Sequence, residues 1–575
     1  MASETLESTD LCQSCKDIFS FDRLFTLSEL QDAGYNCQLC KLLHDCLQSQ
    51  YNSTEDTFHI KRSGSFLINT SDAERILGIL SYPCLQTRNV AQVGVPDIYS
   101  PESNYPYFEL LRHWLQDCDK HGDCTKKLAM PPTRVLDVGG ENLNILKLVK
   151  PTSPVEYIAL SHCWGNPSEE DKKRYSTTND NYTTRLSGFL FDDLPETFQD
   201  AIRVTRELGK KYLWIDSLCI IQGDYSDWET EAERMQHVFA SAYCTLAASS
   251  ATGWDKGFLK QRSGHHSILV GHARRRQIFV SDNVDNFEND VEKAPLNQRG
   301  WVVQERALSR RIIHFTGKRT YWECGEGVRC ENFLKMNCPS GRHYFLIDPR
   351  FPHRLTTSGY YRSIDFIQFL FQKYAKCALT KISDREIAIK SLMQHMSTAF
   401  NTKYRHGTFN VFLHRLLLWH RSDKEIVENV RNYHEHYEDQ LPSWSWMTYA
   451  GIAFPSIRLL KIADIRYNDN GRDELLVQFR TFQDCKVKQE KSQYWILNGK
   501  SEEIGQVWFD KTDSHLRHCV VVGMEDGTEA DADKTYWVLV IKKGESRFKN
   551  GFKRVGIGKI KALYVSKEGY DGQLM

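Results

Sequence analysis

Between Tyr157 and Ser249 short apolar runs alternate with amphipathic ones, and this alternation restricts the possible folds more than any other stretch. Tyr157-Ile158-Ala159-Leu160-Ser161 is an apolar run of strand length that empties into His162-Cys163-Trp164-Gly165-Asn166-Pro167. Glu196 to Leu208 places Phe198, Ile202 and Val204 or Thr205 at helical spacing and stops at Gly209. Tyr212-Leu213-Trp214-Ile215-Asp216 is a second run, ending in a carboxylate. Asp227-Trp228 opens a helix over Glu229 to Ala242 with Ala232, Met235 and Phe239 inward, and Cys244 to Ser249 is a third run. Strands buried on both faces read as unbroken apolar runs, and helical crossovers between them demand parallel pairing. The expectation is an α/β domain with a flavodoxin-like, doubly wound parallel sheet whose carboxyl edge receives Ser161, Asp216 and Ser249, where such folds bind ligands.

An insertion, roughly 255–294, separates this unit from Arg299 to Arg306 and a fourth strand, Arg311 to Phe315. Trp301 and Glu305 lie one helical turn apart, on one face of a helix beside the same edge. An indole with a carboxylate beside it suits a flat, cationic ring. The plainer reading is a packed Trp and a Glu paired with Arg306 or Arg310. Glu231, Glu233 and Glu323 are lesser acid candidates. The first two lie on a helix opposite its apolar face, which favours solvated or ion-paired roles.

The first segment carries Cys12-x-x-Cys15 and, after a gap of 21 residues, Cys37-x-x-Cys40. Two CxxC pairs are the pattern of a structural zinc site, with His44 and Cys46 as substitute ligands and four reduced, half-buried thiols as the rival reading. Cys118-x-x-His121-x-x-Cys124 falls on an expected helix from Glu102 to Lys126. It is the weaker metal signal, needing a fourth donor such as His113, and packing or capping is its plainer role.

The 575 residues suggest roughly three or four domains. The division read from the sequence is a Cys-rich region over 1–150, the α/β domain over 151–330, a helical region over 331–440 and a β-rich region over 441–575. Helices are expected over Tyr361–Ala378, Asp384–Phe400, Thr408–Trp419 and Lys424–Tyr437, and strands from Ile457 onward. Lys+Arg and Asp+Glu both number 74, which argues against a chain-wide grip on nucleic acid or an anionic membrane. No apolar stretch approaches the roughly 18 residues of a membrane span. Met1 to Asp10 shows no basic or apolar signal region. A soluble, cytoplasmic protein is expected.

Together, the strings Tyr157 to Gly165, Leu194-Pro195-x-Thr197-Phe198-x-Asp200-Ala201, Tyr212 to Gln222, Asp227-Trp228-x-x-Glu231-x-x-x-Met235 and Arg299 to Arg306 resemble the HET domain, the heterokaryon incompatibility module of filamentous fungi. Leu416 to Trp419 and Pro442-Ser443-Trp444-Ser445-Trp446 resemble the segments downstream of that domain, and the cysteine motifs its usual leaders. His162 departs from the pattern, which mostly has an aromatic residue there. The resemblance implies a cell-death trigger in non-self recognition. More distantly the domain is similar to the TIR domain, some of whose members cleave NAD at the nicotinamide–ribose bond. Carried over on that resemblance, Glu305 is the catalytic carboxylate and Trp301 its companion, with Ser161 and Asp216 at the matching strand ends; Ser249, from its strand end, and Trp164, from its aromatic face, are read toward the same substrate. The chemistry is that of a glycosidic bond whose leaving group departs uncharged. Trp164, Trp214 and Trp301 can offer aromatic faces. No GxGxxG follows the first strand, which disfavours a redox dinucleotide role. Two other readings stand beside it. One is a non-enzymatic scaffold that signals by oligomerisation. The other is a Cys-His hydrolase with Cys163 or Cys219 as nucleophile and His162 or His314 as base. Without a nucleotide-binding or repeat module, a sensor is expected to be a separate protein.

Overall fold

A computed structural model describes residues 11–48, 56–63, 66–70, 75–83, 105–125, 131–260, 267–273, 276–281, 286–331, 342–422, 441–461, 463–470, 473–491, 493–511, 516–526, 534–544 and 551–575. The chain forms two compact units. The first takes 1–231, 240–296 and 309–339, and the second takes 232–239, 297–308 and 340–575.

The first unit is built on a nine-stranded sheet. In chain order its strands are β1 (Val135–Asp137), β2 (Ile145–Val149), β3 (Tyr157–Ser161), β4 (Phe189–Leu190), β5 (Tyr212–Trp214), β6 (Cys244–Ala247), β7 (Arg311–Phe315), β8 (Thr320–Cys324) and β9 (Gly327–Cys330). Across the sheet they run β9-β8-β7-β6-β3-β5-β1-β2-β4. The four expected runs form the parallel centre, in the order β5-β3-β6-β7. This is the 2-1-3-4 order of flavodoxin-like sheets, so the crossovers diverge at the boundary of β3 and β6.

The sheet is mixed rather than wholly parallel. Pairs joined by short turns, β1–β2 and β7–β8–β9, must be antiparallel and extend both flanks. The helix Glu196–Glu207 buries Phe198, Ala201, Ile202 and Val204 in a cluster that includes Ile158, Leu160, Leu213 and Leu246. Each large apolar side chain so buried stabilises the fold by roughly 1.5–3 kcal/mol.

The insertion is not a free loop. Its strands Ser267–Ala273 and Arg276–Ser281 form a hairpin that pairs with Arg75–Pro83, completing a six-stranded antiparallel sheet with the leader strands. The expected helix over 102–126 ends at Cys118 among the described residues.

In the second unit the helices Tyr360–Lys376 and Arg385–Ala399 are close to expectation. The expected helix Thr408–Trp419 is shortened to a 3-10 turn at Asn410–Phe412 followed by one α-helical turn. Tyr404–Arg405 and Thr408–Phe409 form a small hairpin, and a helical turn remains at Leu413–Leu416. Tertiary contacts override the helical pattern here. Gly407 has φ +79°, and Trp446 Nε1 donates to the Gly407 carbonyl at 2.6 Å. Lys424–Tyr437 lies outside the described residues. In the C-terminal region strand pairings close in a ring: Leu475–Thr481, His518–Glu525, Thr535–Lys543, Phe552–Lys561 and Tyr570–Leu574, which returns to the first. The side chains of Val477, Phe479, Val520, Leu539, Ile557 and Leu574 share one apolar cluster. Among the described residues no helix is long and apolar enough to cross a membrane.

Candidate functional site

The carboxyl ends of β3 and β6 meet through two glycines. Gly165 has φ +76°, and a Cβ there would lie 2.9 Å from Gly253 Cα. Only glycine suits both that backbone and that approach. With the loops in contact, Trp164 and Trp254 stack at 5.8 Å between ring centroids. Thr197 and Asp200 secure the second loop. Thr197 Oγ1 donates to Gly253 O at 3.0 Å, and Asp200 accepts from the N–H of Phe258 and Leu259 at 2.8 and 2.9 Å.

Asp216, just past β5, is joined to this aromatic pair. Trp164 Nε1 donates to its Oδ2 at 2.9 Å, and Ser217 N donates to its Oδ1 at 2.6 Å. His162 Nδ1 stands 3.8 Å from Oδ1. The Asp216 side chain remains 28% exposed, so a carboxylate walled by indole faces solvent. Ser161 and Ser249 flank the point where the crossovers diverge, but both are buried, and Ser249 Oγ donates to Ala247 O at 3.5 Å. Trp214 is buried too and offers no exposed face.

Asp227 and Glu231 turn inward. Arg134 Nη2 reaches both Asp227 oxygens at 2.8 and 2.6 Å and stands 3.7 Å from Glu231, while Arg134 Nε donates to Cys219 O at 2.6 Å. Glu231 is therefore a buried ion-pair partner, not a solvated acid. Glu323 is buried as well, its Oε2 2.7 Å from His314 Nε2 on the neighbouring strand. Burial pushes the Cys219 thiol up to about 12, the wrong direction for a nucleophile at neutral pH. Arg134 and Trp254 carry no motif spacing of their own. Trp254 is foreshadowed only by its place a few residues beyond β6.

Trp301 and Glu305 sit on the helix Gly300–Leu308, in the second unit. At its start a Cβ on Gly300 would lie 2.6 Å from Leu379 Cδ2, so a larger residue there would have to displace the Leu379 side chain. Trp301 hydrogen-bonds the Asp384 carboxyl, whose pKa burial raises against that bond. Every residue of the helix except Trp301 is buried, including Glu305 at 7% exposure.

Cys12, Cys15, Cys37 and Cys40 converge, with all four sulfurs within 4.8 Å of one another. Cys40 Sγ is 3.6 Å from Cys12 Sγ and 3.3 Å from Cys15 Sγ, and Cys12 N donates to Cys37 Sγ at 3.4 Å. Zinc–sulfur bonds of about 2.3 Å in a tetrahedron hold sulfurs roughly 3.8 Å apart, so this set could hold a metal ion with little movement. His44 and Cys46 are not members. His44 Nδ1 instead lies 3.3 Å from Asp45. Cys118, His121 and Cys124 also converge, with Cys324 as the fourth donor. The exposed His113, expected in that place, lies 3.5 Å from Asp117.

No curated protein and no solved structure matches the chain. Residues 157–305 match the family model described as heterokaryon incompatibility protein (HET). They begin with β3 and end on Glu305. This chain therefore carries a HET domain over residues 157–305, which implies a role in heterokaryon incompatibility.

Proposed function

We propose that the protein is a cell-death effector of fungal non-self recognition that hydrolyses NAD at the nicotinamide–ribose bond. The observation that carries the reading is the partly exposed Asp216 carboxylate bonded to Trp164, which stacks on Trp254, at the carboxyl edge of a flavodoxin-like sheet. Such edges bind nucleotides. Glu305 enters as the catalytic carboxylate from its place in the TIR-like pattern, four residues after Trp301. The reaction is NAD plus water giving nicotinamide, ADP-ribose and a proton. The C–N bond breaks with its electron pair leaving on the nicotinamide nitrogen, and water oxygen bonds to the ribose carbon. A carboxylate stabilises the cationic sugar or orients its hydroxyls. Ser161 and Ser249 take supporting roles near the bound ligand. Cys12, Cys15, Cys37 and Cys40 hold a structural zinc. A separate sensor protein, or self-association, switches the domain on.

The test is nicotinamide release from NAD by the purified full-length chain, over a range of protein concentrations. Wild type is expected to release it, and Glu305→Gln to lose at least tenfold. A folded wild type without turnover points to the scaffold reading, which the burial of Glu305 and the Trp301–Asp384 bond favour. Undiminished turnover by Glu305→Gln removes the catalytic assignment.

A further inference from the structure

We propose that Cys118, His121, Cys124 and Cys324 bind one zinc ion, which fastens the leader helix Tyr105–Cys118 to the far end of β8. On a straight helix, residues six apart are separated by about 9 Å along the axis, too far to share an ion. The chain avoids this by ending the helix at Cys118 and turning through Asp119 to Thr125, with His121 N bonded to Cys118 O and Cys124 N bonded to His121 O. The turn folds the three donors back on one point, and Cys324 arrives there from β8. The four donor atoms lie within 4.8 Å of one another.

Three further observations point to a metal. His121 Nδ1 is buried and has no hydrogen-bond partner among the described residues. A buried imidazole nitrogen without a partner is destabilising, and coordination removes that cost. The turn after Cys324 supplies N–H groups to sulfur, with Glu326 N bonding Cys324 and Gly325 N bonding Cys124. Such bonds steady thiolates around an ion. The charge also balances. Three thiolates and a neutral imidazole around Zn²⁺ leave a net single negative charge, which together with the Asp119 carboxylate, 2.7 Å from Arg311, offsets the two buried guanidinium groups of Arg310 and Arg311 that interact electrostatically with Cys118. A soft, three-sulfur, one-nitrogen set selects zinc, and four protein donors close the coordination sphere, so the ion is structural.

The ligands bracket the matched segment. Three precede residue 157 and one follows residue 305. The metal therefore ties the two flanks of the HET domain to each other. This is independent of any reaction the domain performs.

Zinc per chain in the full-length protein, by elemental mass spectrometry, tests the assignment. Wild type is expected to carry two ions, and Cys40→Ser to keep one. His121→Ala added to Cys40→Ser is expected to remove that remaining ion. Cys324→His, which retains a zinc donor in case Cys324→Ser fails to fold, is expected to keep two. The assignment is overturned if Cys40→Ser carries no zinc, if its zinc survives His121→Ala together with Cys324→Ser, or if peptide mapping of anaerobically purified wild type finds Cys324 in a disulfide.

Discussion

The Trp164 indole donates to the Asp216 carboxylate across 2.9 Å, joining the loop after β3 to the end of β5. The bond orients the carboxylate and sets an aromatic wall beside it. Asp216→Asn removes the negative charge while keeping the shape. It is expected to weaken binding of a nicotinamide nucleotide at least tenfold, measured by titration calorimetry, with an unfolding midpoint close to wild type. Trp164→Phe keeps an aromatic face but loses the donor, and a smaller loss is expected. Equal binding by Asp216→Asn and wild type would take this carboxylate out of the site.

Gly165 fixes where Trp164 stands. Gly165→Ala forces a side chain into a left-handed backbone, against Gly253 Cα at 2.9 Å. A stability loss of about 1–3 kcal/mol is expected in urea unfolding. Loss of the Trp164–Trp254 stack should also alter the near-ultraviolet circular dichroism. An unchanged spectrum would mean the loops do not depend on this contact.

Arg134 neutralises two acids of the domain, Asp227 and Glu231, from a buried position. Removing one partner of a buried ion pair leaves the other's charge uncompensated, at a cost of about 3–5 kcal/mol. Arg134→Met should unfold at correspondingly lower denaturant. A change below about 1 kcal/mol would show that Asp227 finds enough support in the N–H of Ile221, which donates to it at 2.8 Å.

His406 makes the second unit sensitive to pH. Burial works against its charge, but Glu386 and Asp473, each 3.0 Å from one ring nitrogen, outweigh it and raise its pKa above the usual 6.5. A raised histidine stabilises the folded state fully below its unfolded pKa, and that stability is lost as pH rises through the folded value. Unfolding monitored for the second unit should show a midpoint that falls as pH climbs above about 6.5. His406→Gln should flatten that profile, and an identical slope in the variant would assign the dependence to other groups.

How legible the fold was depended on which physical signal each element carried. The runs at 157–161, 212–214, 244–247 and 311–315 were readable because central parallel strands are buried on both faces. The over-long helix expected at Thr408–Trp419 has the opposite origin. Leu413, Leu416, Leu417 and Leu418 are all buried, and an apolar cluster without alternation reads as a helix until Trp446 and Gly407 show otherwise. At the site, Trp164 and Asp216 could be named from strand ends, whereas Trp254 reaches them only through the Gly165–Gly253 approach. The four-cysteine set could be read from spacing. Cys324 could not, because a lone cysteine far along the chain has no spacing to recognise.

The order of the main sheet separates what can be recognised from what can fold. Of its strands, only β3, β4, β5 and β6 fall within residues 157–305; β1, β2, β7, β8 and β9 come from the flanks. A polypeptide cut to the matched segment would lose β1 from one side of the parallel core and β7 from the other. Both borders would then present rows of unsatisfied peptide groups, which template pairing with any neighbouring strand. The signature by which the domain is known is thus smaller than the unit that can be transplanted. A fusion or domain exchange that preserves solubility has to carry the chain from the helix Tyr105–Cys118 to Cys330, because Phe108, Leu111 and Trp114 share one core with Ile158 and Leu246.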